Sequence, residues 1–249
     1  MKTGIVIEST GSHYVVLTPE GRTLETKLRG KLRLNGSRTT NPVAVGDRVR
    51  YEETAGTGAT ITEVEPRRNY LIRRASNLSK EAHVIASNLD RALIVATLFS
   101  PVTNTEFIDR FLVTCEAYAI PAAIVLNKVD LAARRPEELE EFTAIYETAG
   151  YPVYPVSATE GSGLEALREL IAGTTTLLTG NSGAGKSTLI KALVPGADVR
   201  INRISDYHHK GMHTTTFARM YPLEGGGSII DTPGIKGFGL VDIAPDEVF

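Results

Sequence analysis

One cysteine in 249 residues removes several possibilities at once. Cys115 has no intrachain partner, so an internal disulfide and a multi-cysteine zinc site are both excluded. No apolar stretch reaches the ~18 residues needed to span a bilayer. The opening Met1-Lys2-Thr3-Gly4 lacks a signal-peptide core, and there is no internal repeat or low-complexity tract. A cytoplasmic protein with no membrane partner follows; a monomer is expected. Strong net charge is missing too, at −2 overall, but the balance conceals an asymmetry. Residues 1–74 hold 13 Lys+Arg against 8 Asp+Glu, and the remainder holds 14 against 21. A basic module precedes an acidic one.

Against these absences stand two well-formed motifs in an unusual order. Asn127-Lys128-Val129-Asp130 has the NKxD form, and Gly180-Asn181-Ser182-Gly183-Ala184-Gly185-Lys186-Ser187 matches the P-loop pattern GxxxxGK[ST]. Regulatory GTPases ordinarily carry the P-loop first. The reversed order indicates a circularly permuted domain, which is feasible because domain termini often lie close together at the surface. Asp231-Thr232-Pro233-Gly234 has the DxxG form and ends the apolar stretch Ser228-Ile229-Ile230. Ser157-Ala158 ends Val153-Tyr154-Pro155-Val156 and resembles the loop that closes over guanine.

The residue types suit the chemistry. Glycines within 180–185 let backbone N–H groups wrap phosphates, and the helix that follows, with Ser187 and Thr188 in its first turn, directs its positive end at them. Lys186 would reach the β- and γ-phosphates, and the Ser187 hydroxyl would ligate Mg²⁺. Asp231 stands where a second Mg²⁺-supporting carboxylate belongs, acting through water. Asp130 can accept from both N1–H and the 2-amino group of guanine; adenine offers no such pair, which favours GTP over ATP. Asn127 either completes the base contact or ties its loop to the P-loop.

From about residue 90, strand and helix patterns alternate. Ala92–Ala96 and Ala122–Leu126 are continuous apolar runs, as buried parallel strands should be. Phe107, Phe111, Cys115 and Tyr118 share one helical face between them, which makes Cys115 a small core residue. Pro136 opens and Gly150 closes another helix. Ser162 with Glu165 is read as a capping box for a helix through Leu170. Thr175–Thr179 is the strand feeding the P-loop. The rhythm predicts a parallel α/β sheet with its ligand at the strand ends.

Residues 1–70 instead show short alternating runs, Gly4–Ile7, Tyr14–Leu17, Arg48–Tyr51 and Ala59–Thr62, separated by turn residues. They predict a small all-β barrel of OB-fold type. Residues 71–90 read as a linker, and 91–249 as the P-loop domain. Lys27, Arg29, Lys31 and Arg33 alternate with Leu28, Gly30, Leu32 and Leu34. In a strand they put four cations on one face, a candidate RNA-phosphate surface. Arg67-Arg68 and Arg73-Arg74 either extend that surface or cap the linker.

The rotated order, the OB-like front and Lys210-Gly211-Met212-His213-Thr214-Thr215-Thr216 together resemble the ribosome small subunit-dependent GTPase A family (RsgA/YjeQ). The resemblance covers essentially the whole chain. It implies an α/β P-loop GTPase domain in the order G4-G5-G1-G2-G3, with HTTT in the first switch and DTPG followed by Ile235-Lys236-Gly237-Phe238-Gly239-Leu240 in the second. It further implies Mg²⁺ held with GTP or GDP by Ser187, Thr214 or Thr215, and Asp231, with Thr215 favoured, and a role in late maturation of the small ribosomal subunit with its rRNA as partner. The family normally continues into a C-terminal Cys/His zinc module. No cysteine follows Cys115, so zinc is expected for the family although this chain supplies no ligand set; His208, His209 and His213 alone make a poor one.

Ras-like proteins orient the attacking water with a Gln directly after DxxG. Ile235 occupies that position, so slow intrinsic turnover is expected, with His213 as the candidate water-orienting group and Lys186 and Thr215 as its catalytic companions. Two other functions are weighed against this one. A P-loop small-molecule kinase has little use for NKVD, and a nucleotide-gated RNA-binding module would hydrolyse negligibly and gain nothing from the subunit.

Overall fold

A computed structural model describes residues 1–11, 13–29, 41–54, 58–74, 82–132, 135–197 and 218–232. Two compact units divide the chain between Leu89 and Asp90, with 218–220 in the first unit and 221–232 in the second.

The first unit contains β1 (Lys2–Ser9), β2 (Tyr14–Leu17), β3 (Thr23–Leu28), β4 (Arg48–Thr54) and β5 (Gly58–Val64). They hydrogen-bond in the order β1-β2-β3-β5-β4, and β4 returns to β1, which closes a five-stranded barrel. Only β3 and β5 run parallel. A register shift between Val6 and Glu8 bends β1, so its first half pairs with β4 and its second half with β2. Period-two alternation turns Val6, Tyr14, Val16, Val49, Tyr51 and Ile61 into the interior. This is the OB-like barrel expected from the alternating runs.

The stretch 71–90, read from sequence as a linker, carries regular structure. Strands β6 (Tyr70–Arg74) and β7 (Ala82–Ser87) form an antiparallel pair whose Leu71, Ile72, Val84 and Ile85 are buried. A buried carboxylate fastens them to the barrel. Asp47, with no exposed surface, accepts from Ala44 N (2.8 Å), Arg67 Nε (2.7 Å) and Nη2 (2.8 Å), and Ser87 Oγ (2.6 Å). Asn41 bonds both the amide and the carbonyl of Val84 at 2.9 Å. Arg68 Nη2 donates to Leu89 O at 2.8 Å. Arg67 and Arg68 therefore act as ties within this unit. In β12 (Arg219–Pro222), Arg219 Nε lies 2.7 Å from Glu8 Oε1.

The second unit alternates β8 (Arg91–Ala96), α1 (Thr105–Ala117), β9 (Ala122–Asn127), α2 (Pro136–Thr148), β10 (Val153–Val156), α3 (Leu164–Ile171), β11 (Thr175–Gly180), α4 (Lys186–Leu193) and β13 (Ser228–Asp231). Its strands are parallel in the order β10-β9-β8-β11-β13. Val95, Val125 and Leu178 pack with Leu167, Leu189 and Ile190 from the helices. Cys115 is fully buried among core residues, and burial pushes its thiol pKa far up, as its place on the apolar face of α1 predicted.

The capping box at Ser162 and Glu165 does not form. Helix α3 starts at Leu164 behind Gly163, which adopts φ +73 and offers no side-chain cap. A Cβ at Gly163 would lie 2.2 Å from Pro155 O, so the tight return of the chain past β10 requires glycine there. Ser162 instead presents its carbonyl to Ser157 N at 3.0 Å, and Glu165 pairs with Arg168.

Candidate nucleotide-binding site

Because the sheet is parallel, every strand of the second unit ends at the same edge. From β8 the chain steps outward through β9 and β10, whereas β11 lies on the other side of β8 and leads to β13. The reversal between β8 and β11 is a topological switch point, the place where open α/β sheets bind ligands. The motif segments sit at the carboxyl ends around it: Asn127 closes β9, Ser157 follows β10, Gly180 closes β11 and Asp231 closes β13.

Asn127 is the hub. Its side chain, 3% exposed, donates from Nδ2 to Ala184 O at 2.8 Å and accepts at Oδ1 from Ala158 N at 3.1 Å. Of the two roles open to Asn127 in the sequence, the structure displays the tie. It joins the P-loop to the Ser157-Ala158 loop across 57 and 31 residues of chain. Gly185 makes that contact possible: it has φ +90, and a Cβ there would stand 2.3 Å from Asn127 Nδ2.

Lys128 adds a second tie. Its backbone takes φ +65, and its ammonium donates to Gly183 O at 2.8 Å and to Ser100 O. Burial lowers the Lys128 pKa, with Asp130 opposing the shift. Val129 and Asp130 begin a short 3-10 turn. Asp130 Oδ1 accepts from Ser157 Oγ at 2.6 Å, and that hydroxyl also accepts from Glu160 N at 3.2 Å. The Asp130 carboxylate is thus oriented by the loop that follows β10.

In the P-loop motif, Asn181, Ser182 and Gly183 lead into α4 through Ala184, whose amide bonds Asn181 O at 3.2 Å. Lys186 opens the helix, followed by Ser187 and Thr188. The Lys186 ammonium lies 2.8 Å from Asp231 Oδ1, in a pair 10% and 1% exposed. Burial pushes the Asp231 carboxyl above its usual range, and the Lys186 charge works the other way. Asp231 is the register partner of Leu178, two residues before the P-loop begins. Thr232 N and Oγ1 both bond Leu178 O, at 3.3 and 3.2 Å. A buried carboxylate beside the P-loop lysine, together with the hydroxyl at Ser187, offers the hard oxygen donors that Mg²⁺ takes, so the residues present fit that ion.

His213, Thr214, Thr215 and Gly234 lie outside the described residues, as do Lys31 and Arg33 of the basic strip. The strand carrying that strip ends at Leu28. Lys27 is exposed on it, and the Arg29 amide continues to Ile61 O at 3.1 Å. Arg29 pairs with Glu52, and elsewhere on the barrel Lys2 pairs with Glu53 and Arg50 with Glu63 and Glu65. Among the described residues there is no cluster of three or more His, Cys, Asp or Glu that would hold a metal, and no helix is long and apolar enough to cross a membrane.

With this geometry in hand, comparison with known proteins decides the family. A family model described as RsgA GTPase matches residues 64–241, and one described as RsgA N-terminal domain matches residues 3–61. The chain belongs to the RsgA GTPase family. Relatives named small ribosomal subunit biogenesis GTPase RsgA include one from Bacteroides fragilis, 52% identical over 98% of this chain and 79% of its own length. Another, from Porphyromonas gingivalis, is 51% identical over 98% of this chain and 80% of its own. Among solved structures, YjeQ from Thermotoga maritima is 32% identical with a TM-score of 0.75, covering 99% of this chain and 80% of that one. YloQ, titled a circularly permuted GTPase, shares the fold at 23% identity and a TM-score of 0.70. An OB-like barrel ahead of a circularly permuted GTPase domain is the architecture of this RsgA family member.

Proposed function

We propose that this RsgA family GTPase binds GTP between Asn127–Asp130, Ser157-Ala158 and the P-loop, and couples its hydrolysis to engagement with the small ribosomal subunit during maturation. The observation that supports this reading is the Asn127 side chain, whose two hydrogen bonds tie the P-loop to the Ser157-Ala158 loop at the switch point. Asp130 reads the guanine donor pair, and Ser157 holds it in place. The 180–185 backbone and the amino end of α4 cradle the phosphates, and Lys186 brings its charge to the β/γ oxygens. Ser187 and Asp231, with Thr214 or Thr215 from the first switch, hold the Mg²⁺ that neutralises charge on the phosphates.

Ile235 has no group that can orient water, so intrinsic turnover is slow. His213, next to the switch threonines, orients the attacking water through its imidazole when the protein is engaged with the subunit. Lys27, Arg29, Lys31 and Arg33 carry rRNA phosphate contacts. The protein acts in the cytoplasm as a monomer. The test is the GTPase rate with and without purified small subunits, with ATP as control. Subunit-stimulated, GTP-selective hydrolysis is expected; hydrolysis indifferent to the subunit or to the base refutes the reading.

A further inference from the structure

Lys128 divides its ammonium between two carbonyls, and only one of them belongs to the P-loop. The other, Ser100 O, sits on the loop that leaves β8 at residues 97–103. That loop is braced from within. Thr103 N donates to Thr97 O at 2.8 Å, and Thr97 N donates to Thr103 Oγ1 at 3.0 Å. The Thr97 hydroxyl donates its one proton to Pro101 O, so across the 3.3 Å between the two hydroxyls Thr103 is the donor. A relay thus runs from Thr103 through Thr97 to Pro101, the residue whose nitrogen closes the peptide containing Ser100 O. Both threonines are buried, whereas Val102 at the tip is 70% exposed. From outside, the Arg135 guanidinium stacks over the Phe99 ring at 4.1 Å.

We infer that loop 97–103 is a positioning strap for nucleotide retention: Thr103, through Thr97 and the Ser100 carbonyl, holds Lys128 between the strap and Gly183, and thereby fixes the guanine-reading segment against the P-loop. The inference rests on the assignment of Asn127–Asp130 as the base site. A partly buried ammonium needs acceptors for its protons. If Ser100 O shifts, Lys128 keeps only Gly183 O of the two carbonyls, and the tie from base to P-loop slackens from the side that Asn127 does not reach. Thr103 bonds Thr97 and not Lys128, so its effect passes to Lys128 through the strap.

Stopped-flow release of N-methylanthraniloyl-GDP from the full chain tests this. Thr103→Val removes both the acceptor for Thr97 N and the relay proton, and should speed release at least about fivefold, since a single net hydrogen bond is worth about that much. Thr103→Ser keeps both and should stay within about twofold of the parent. Arg135→Ala frees Phe99 at the surface and should speed release about twofold, the effect of an exposed cation–π contact. In a Lys128→Met background, which keeps the apolar stem and removes the ammonium, Thr103→Val should have almost no further effect, whereas a general loss of stability would act in both backgrounds. Parental release rates in both Thr103→Val and Arg135→Ala, or an undiminished Thr103→Val effect without the ammonium, overturn the strap. Asp130→Asn separates the two readings: unchanged guanine selectivity there would overturn the base assignment, and a selectivity switch with no strap effect would overturn the strap alone.

Discussion

Replacing Asn127 by Ala tests the hub of the pocket and has a magnitude that follows from its contacts. The substitution strands the Ala184 carbonyl, on a fully buried residue, and the Ala158 amide, on a partly buried one. A buried polar group left without a partner costs about 1–3 kcal/mol, and water can reach the Ala158 amide, so its share falls at the low end. The sum is roughly 2–4 kcal/mol. For a unit of this size each kcal/mol moves the melting temperature by about 2–4 °C, so Asn127→Ala should melt roughly 5–15 °C lower. Because the bonds join the two loops proposed to hold the nucleotide, GDP affinity should fall by at least about tenfold. Asn127→Asp is the sharper variant. It keeps the acceptor for Ala158 N but sets a carboxylate oxygen against Ala184 O in a buried place, so it should be no more stable than Ala. Thermal unfolding and calorimetric titration with GDP check both. An Asp variant as stable and as tightly binding as the parent would refute the role given to Asn127.

In the barrel, Arg67→Met leaves the Asp47 carboxylate buried without its cation and should cost about 3–5 kcal/mol in denaturant unfolding. Loss of less than about 1 kcal/mol would show that the ion pair is dispensable. Reversing Lys27, Arg29, Lys31 and Arg33 to Glu should weaken small-subunit binding and lower its log–log salt slope by about 0.7–0.9 per lost phosphate contact, with intrinsic GTPase activity unchanged. An unaltered slope would make the strip solvated surface. His213→Ala should keep GTP affinity and subunit binding while stimulated turnover falls at least about tenfold; full turnover would remove His213 from the mechanism.

What the sequence made legible was local. Alternation in Tyr14–Leu17 and Ala59–Thr62 marked barrel strands because a half-buried sheet face repeats every two residues. The runs at Ala92–Ala96 and Ala122–Leu126 marked parallel strands because both of their faces are covered. Candidate site residues stood out where a motif concentrates chemistry in a few positions, at 127–130 and 180–187. Contacts distant in sequence stayed hidden. Nothing near Arg67 signals a carboxylate twenty residues earlier, nor near Asp47 a hydroxyl at Ser87, so a fastened hairpin read as a linker. Ser162 and Glu165 have the spacing of a capping box, but the turn past Pro155 O requires glycine at 163 and delays the helix. Lys128 gave no hint of Ser100 O, because a backbone carbonyl leaves no mark in composition.

The central claim is that Asp130, oriented by Ser157 and set against the P-loop by Asn127, makes this a guanine site. Competition binding of GTP, ATP and xanthosine triphosphate to the parent and to Asp130→Asn tests it most directly. The parent should prefer GTP. The variant should lose about 2–4 kcal/mol of GTP binding and turn toward xanthosine triphosphate, because the amide reverses the donor pattern that the carboxylate offers. Equal guanine preference in parent and variant would contradict the account.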